Sequence, residues 1–419
     1  MAKSKKSSIV LITNHFPFGP FESFLEQEIP HLTAAFDQVI ILARDIVSKE
    51  MRRLSGVTVY RINPESNWKE KLLIGWLLIK NAPKVLAYIR DENHWLAKRK
   101  NVVIHGAFGE MIHVLIKGLV TSYHIERILK EQSITYSVTL YSYWLTSSAL
   151  ATTFVQLSGL DIKRISRAHG GDVYEHRHTY KYLPFRRVLA LNLDKIFAIS
   201  TDGCEHLRRQ LSDHEQNKIT TSRLGTARPG LAPKKVLKEF TLVSCSFLVP
   251  VKRVDLLIDA LSHLDQTIHW IHIGDGAVKD NVESRARQVL SAKSNIRFTF
   301  LGNLTLSALY DFYRSTYVDL FINTSSSEGI PVTMMEAQSF GIPIVGPNVG
   351  GVPEIVNDYC GRLFPVDAAP TQIANKITEI LGLPLDIYQA MRDSAFQNWD
   401  TRYNAENNFS TFVAEIQKL

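Results

Sequence analysis

Cysteine is scarce in this 419-residue chain: Cys204, Cys245 and Cys360 stand far apart, with no Cys-x-x-Cys pair. That excludes a zinc ribbon and a disulfide framework, and it fits a reducing cytoplasm. Long apolar runs are missing too. The longest, Leu72 to Ile79, is cut off by Lys80 and is too short to span a bilayer. The basic start Met1-Ala2-Lys3-Ser4-Lys5-Lys6 leads into a short strand-like run ending at Asn14 with no small-residue cleavage site, so it does not read as a signal peptide. There is no internal repeat and no low-complexity segment. Basic residues are dispersed and no nucleic-acid motif is present, so nucleic acid is not an expected partner. With 45% hydrophobic and 21% charged residues, disordered and fibrous classes are out as well.

What is present is length enough for two or three domains and an uneven charge. Residues 1–200 hold 27 Lys and Arg against 17 Asp and Glu, whereas residues 201–419 hold 21 against 24. A basic first half suits an anionic surface. Short apolar runs alternate with helical patterns, which predicts α/β architecture with parallel sheets covered on both faces. Ser8 to Thr13, Val39 to Leu42, Ser137 to Tyr141, Ile165 to Ala168 and Lys195 to Ile199 read as strands, with a helix expected from near Phe21 past Glu28. Turn formers crowd Ser222 to Gly230, marking a linker with Pro229 inside it. A second series follows: Phe240 to Ser244, Ile268 to Ile273, Ile296 to Leu301, Val318 to Ile322 and Pro343 to Val345. The expected division is 1–225, 226–395 and a terminal helix, 396–419, that returns to the first domain.

The most informative stretch runs from Ser325 to Ala337. A buried strand ends there, a small polar loop carries Glu328, and a helix beginning near Thr333 carries Glu336 about one turn in. A helix start at a strand's carboxyl end is a ready anion site. Carboxylates are bidentate acceptors suited to vicinal diols, which sugars and ribose both carry.

Glu328-x7-Glu336, framed by Ser327-Glu328-Gly329-Ile330-Pro331 and followed by Gly341-Ile342-Pro343-Ile344-Val345, resembles the donor-binding segment of retaining glycosyltransferases of family four. The resemblance implies the GT-B fold, two Rossmann-like doubly wound domains facing across a cleft. It implies a nucleotide-sugar donor, with Glu336 on the ribose hydroxyls, Glu328 on the donor sugar, and the backbone of Gly329, Ile330, Pro331 and Val332 beside the diphosphate. Ser244 to Arg253 resembles the phosphate-clamp strand and loop. That pattern pairs an Arg with a Lys five residues on. Here Lys252 is in place, Phe247 stands where the Arg belongs, and Arg253 is the expected substitute. Gly302-Asn303 resembles the base-contacting loop, and Gly350-Gly351 the Gly pair near the donor. Gly19, in the loop after the first strand, corresponds to a diphosphate contact, although the usual second Gly is Pro20 or Phe21. His169, at the end of a strand, is placed like the active-site His near the transferred sugar. Asp172 is a candidate for holding sugar or acceptor. Tyr143 either lines the acceptor site or belongs to an aromatic core.

No Asp-x-Asp occurs, so stabilisation of the leaving group without metal is expected, with no cofactor besides the donor. The expected reaction is retaining hexosyl transfer to a saccharide or lipid-linked acceptor, in capsule, exopolysaccharide or lipopolysaccharide assembly. Lys69 to Lys130 mixes Leu, Ile and Trp with basic residues. It forms either amphipathic helices on an anionic membrane, which would make the protein peripheral on the inner face, or core helices with solvated basic faces. A nucleotide-sugar epimerase of the same fold and a non-catalytic sugar-binding protein are the rival readings.

Overall fold

In the computed structural model the described residues are 7–19, 21–46, 48–62, 68–99, 102, 104–228, 230, 233 and 239–419. Pro20, Pro229 and the basic segment 1–6 lie outside them. The chain divides into two compact units: Met1–Ser222 with Ser410–Leu419, and Arg223–Phe409.

In the first unit seven strands form one sheet: β1 (Ser7–Thr13), β2 (Gln38–Ala43), β3 (Val57–Arg61), β4 (Ser137–Ser142), β5 (Ile162–Ala168), β6 (Lys195–Ala198) and β7 (Ile219–Thr221). Their order is β3-β2-β1-β4-β5-β6-β7, and every pairing is parallel. In the second unit β8 (Phe240–Cys245), β9 (Ile268–Ile273), β10 (Ile296–Phe300), β11 (Leu320–Ile322), β12 (Ile344–Pro347) and β13 (Gly361–Phe364) form a parallel sheet ordered β10-β9-β8-β11-β12-β13. Strand order reverses between β1 and β4 in one sheet and between β8 and β11 in the other. Loops at the carboxyl ends of such neighbours diverge and leave a crevice.

The interior strands were readable because both faces are buried. Ile9 to Ile12, Ile40 to Leu42 and Leu320 to Ile322 are almost fully enclosed, giving unbroken apolar runs. Three edge strands escaped that reading. Along β3 no residue is fully covered, β7 is Ile-Thr-Thr, and β13 contains Arg362. The helix expected after Phe21 is instead a 3-10 turn, Ser23–Gln27, followed by the helix Ile29–Ala35. Glu22 adopts φ 54° before that turn, and Pro30 at the second helical position suits a fresh start rather than continuation.

Residues 396–402 finish the helix Leu385–Arg402, whose Trp399 is buried in the second unit and donates its indole N–H to Thr226 Oγ1 at 2.7 Å. Farther on, Phe412, Val413 and Ile416 join the first unit's core beside Ile9, Leu11 and Tyr141.

Candidate active site

In the second unit the loop after β8 and the loop after β11 are stitched together. Thr324 Oγ1 donates to the carbonyls of Lys252 and Arg253, at 3.0 and 2.9 Å, and the Ser326 N–H donates to Val251 O at 2.8 Å. This fixes Lys252 against Glu328: Nζ donates to Oε1 at 2.6 Å. Asn323 Nδ2 donates to the same oxygen at 3.3 Å, while its Oδ1 accepts the Ser325 N–H at 2.8 Å. Asn323 was not singled out from sequence, because an Asn after a strand looks like any turn former.

Arg253 does not replace the missing clamp arginine. Its Nε donates to Thr324 O at 2.8 Å, Nη1 to Val366 O at 2.7 Å and Nη2 to Ser325 O at 3.3 Å. The guanidinium braces backbone carbonyls, so Lys252 is the cation of this loop pair. Phe247, at the clamp position, is about half exposed.

Glu336 behaves differently from Glu328. It is 7% exposed on the helix Val332–Gln338, and burial alone pushes its carboxyl up to about 8. Cys245, at the end of β8, lies within electrostatic reach of both Glu336 and Lys252, and burial and Glu336 together push its thiol up. Tyr313 joins the same cluster: it is fully buried, its hydroxyl lacks a partner, and Glu336 and Cys245 add to the burial that raises it. A carboxylate among apolar and neutral neighbours is costly to ionise, and hydroxyl donors from a ligand would relieve that cost.

The Gly pair has a steric reason. A Cβ on Gly350, where φ is +53°, would meet Glu328 O at 2.0 Å, and one on Gly351 would meet Gly329 O at 2.2 Å. The Gly351 N–H donates to Gly329 O at 2.7 Å, so this close approach holds the loop that carries Glu328. Ile330 is buried, Pro331 caps the helix and Val332 opens it. Gly302 accepts the Gly274 N–H at 2.8 Å, and Asn303 beside it is exposed.

In the first unit His169 is 6% exposed, and neither ring nitrogen has a hydrogen-bond partner among the described residues. Its ring centroid lies 4.5 Å from that of Trp144, 4.7 Å from Tyr143 and 6.1 Å from Phe24. Tyr143 is wholly buried with an unpartnered hydroxyl, so it walls the histidine rather than facing solvent. Asp172 is buried and already engaged: its carboxylate accepts the backbone N–H groups of Leu145, at 2.7 Å, and of His169, which sets the shape of that loop. Gly19 is likewise engaged. Its N–H donates to Glu50 O at 3.0 Å, and a Cβ there would meet Ser48 Cβ at 3.0 Å, so this glycine closes its loop onto residues 48–50 instead of offering an N–H to phosphate. Glu22, two residues beyond Pro20, holds that loop by accepting the N–H groups of Asn14, His15 and Phe16 and the indole N–H of Trp144.

Two units, each built on a parallel doubly wound sheet, are the architecture of the GT-B fold. Residues 232–398 match the family described as glycosyl transferases group 1. It is 25% identical over 293 residues to an uncharacterized glycosyltransferase of Methanocaldococcus jannaschii, covering 70% of this chain and 77% of that protein. It is 27% identical over 338 residues to the O-antigen biosynthesis glycosyltransferase WbnH of Escherichia coli, covering 78% and 89% respectively. Among solved structures, HepE of Anabaena in complex with UDP and glucose superposes with a TM-score of 0.66 at 15% identity, covering 99% of this chain and 100% of that one.

Proposed function

We propose that this chain transfers a hexose from a nucleotide sugar to an acceptor hydroxyl with retention of configuration and without a metal, in the assembly of a surface polysaccharide. The observation that carries this reading is the pair of unlike carboxylates eight residues apart: Glu328 neutralised by Lys252, and Glu336 buried without compensation. A ribose diol would give Glu336 the donors it lacks. Lys252 has three N–H donors, so it can keep Glu328 in place while also meeting the diphosphate. The backbone from Gly329 to Val332 borders the same position. The bond from the anomeric carbon to the diphosphate breaks, a bond from that carbon to the acceptor oxygen forms on the same face, and the acceptor proton passes to the departing phosphate oxygen. The protein supplies position and charge rather than a nucleophile. The glucose and UDP named for the Anabaena structure, and the O-antigen role named for the Escherichia coli relative, support a UDP-sugar and a polysaccharide acceptor. His169 is assigned to the transferred sugar.

The acceptor is proposed to be presented at an anionic membrane. Along the helix Trp68–Lys80 the exposed residues Trp68, Leu72, Trp76 and Ile79 recur at four, four and three residues, which places them on one face. Lys69 and Lys71 are exposed beside them. Among the described residues no single helix is long and apolar enough to cross a membrane; the pair Trp68–Lys80 and Ala82–Ala97 passes by composition but is bent by 81° and buries Leu77, Val85 and Tyr88 in the core.

A thermal-shift panel of UDP, GDP and ADP and their sugars tests the donor reading, since a ligand raises apparent stability by mass action. Stabilisation by one nucleotide and its sugar, lost in E336Q, is the expected result; no response to any of them would sink it.

A further inference from the structure

Away from the carboxylate pair, the first unit holds a buried cation with no counterpart in the reading so far. Arg44 follows β2 and is 4% exposed. Its backbone N–H, and that of Asp45, donate to Asn14 O at 3.1 and 2.7 Å, which fixes the turn against the carboxyl end of β1. Its Nη2 donates to Ser147 Oγ at 3.1 Å, and its Nη1 is buried with no hydrogen-bond partner among the described residues. Ser147 is the first residue of the helix Ser147–Phe154, whose N-cap residue, Thr146, makes no side-chain cap hydrogen bond. The opening N–H groups of a helix need partners from outside it, and they carry partial positive charge. Arg44 and this helix start therefore lie together at the β1/β4 switch point, where a doubly wound sheet binds its ligand.

The local charges leave the arginine uncompensated. Asp45, its neighbour in sequence, is paired with Lys117 at 3.3 Å. Lys117 precedes Gly118, where a Cβ would meet Ser147 O at 3.4 Å, so a second cation stands on the helix packed against the same end. Burial lowers the Arg44 guanidinium from its ordinary value, and Asp45 only opposes that effect. A buried guanidinium with a free N–H pair is costly unless an anion completes it.

We propose that Arg44 and the amino end of the helix Ser147–Phe154 form a phosphate-binding site, and that the group it holds is the phosphate or diphosphate carried by the acceptor. This rests on the acceptor reading above and deepens it: the acceptor is a phosphorylated saccharide or a saccharide on a prenyl phosphate, recognised through its phosphate as well as its sugar hydroxyl. A guanidinium and a helix start are matched to phosphate in geometry and charge.

The test is a thermal-shift and calorimetric titration of the full chain with inorganic phosphate. Wild type should respond, whereas R44M should lose at least about tenfold in apparent affinity, as expected when a charge-assisted pair is removed. R44M should also match or exceed wild-type stability without phosphate, because it removes an unpaired buried charge. Should R44M fail to fold, S147D serves instead: its carboxylate would sit on Arg44 at a favourable helix start, keeping the fold while excluding phosphate. Prenyl phosphate in detergent micelles separates the two sources. Binding at least about tenfold tighter than inorganic phosphate marks a lipid-borne acceptor, and equal binding marks a soluble phosphate ester. Absence of any phosphate response in wild type, or a folded S147D that responds as wild type does, overturns the site. UDP is titrated in the same series: a lost UDP response with phosphate binding intact would sink the donor reading alone, and the reverse would sink only this proposal.

Discussion

Charged side chains at the carboxyl ends of the two sheets are used in opposite ways. In the first unit Glu22 and Asp172 are filled by backbone N–H groups, and the histidine between them is surrounded by Phe24, Tyr143 and Trp144. In the second unit Glu328 is held by a lysine and an asparagine side chain, and Glu336 by nothing but burial. Carboxylates that accept main-chain N–H groups set loop shape, and a ligand would have to compete with those bonds. Those held by side chains, or left bare, can exchange partners when a ligand arrives. Acidic residues at strand ends are therefore poor guides to function until their acceptor capacity is accounted for.

The sharpest way to break this contrast is K252A. It removes the cation of the clamp and strands Glu328, which is 8% exposed on its side chain. Sugar transfer should fall by about two to three orders of magnitude, the scale of losing one preorganised charge at a leaving group. Near-wild-type turnover would remove Lys252 from the mechanism. Stability should drop by about 3–5 kcal/mol as well, since a buried carboxylate loses its partner. The double variant K252A/E328Q should regain stability but not turnover, and urea titration alongside kinetics separates the two effects.

E336Q ranks next. UDP affinity should weaken by about 10- to 100-fold, the loss of one to two good hydrogen bonds to a charged acceptor. Its pH signature is specific. Glu336 has a folded pKa near 8 and an unfolded one in the ordinary carboxylate range, so the folded state binds the extra proton between them. Stability from this group is present at low pH and is lost as pH rises toward and through 8. Melting temperatures of wild type and E336Q should accordingly diverge upward from pH 5 to pH 8, with the variant the more stable at the alkaline end. Parallel curves would mean the carboxyl is not buried as described.

D172N tests the other side. One carboxylate bonded to two main-chain N–H groups becomes an amide that can accept but also presents N–H donors, at a cost of about 1–3 kcal/mol. The UDP-induced shift should be unchanged, because Asp172 acts on loop shape. A large fall in UDP response at undiminished stability would make Asp172 a ligand after all.

F247R carries the smallest expected effect. Phe247 is half exposed at the clamp position, so a longer cation can be accommodated. UDP affinity should rise by a few fold, by about 0.5–1 kcal/mol for an exposed charge pair, and should become more sensitive to salt. An unchanged affinity would show that the diphosphate does not pass that position.

Where sequence reading succeeded, one local rule applied. Interior strands buried on both faces gave apolar runs, and the loop carrying Glu328 and the helix carrying Glu336 were legible because turn residues and a helix start lie side by side in the sequence. Its misses came from long-range partners. β3 and β13 each have a neighbour on one side only, so their residues stay half polar and carry no run. Arg253 looked like a phosphate ligand because it follows Lys252, yet carbonyls 71 to 113 residues away take its donors. Gly19 and Asp172 failed for the same reason: Glu50 and Leu145 reached them first.

The amino-acid order by itself determined the alternation of strand and helix and the chemistry available at the strand-end loops, because burial period and turn chemistry act over a few residues. Only the folded chain decided which charges are satisfied. Arg44 and Ser147 lie 103 positions apart and meet solely through packing of β2 and the helix after β4 around β1. Whether a polar group is filled or waiting depends on such meetings, and low-dielectric burial is what turns an unfilled one into a binding site.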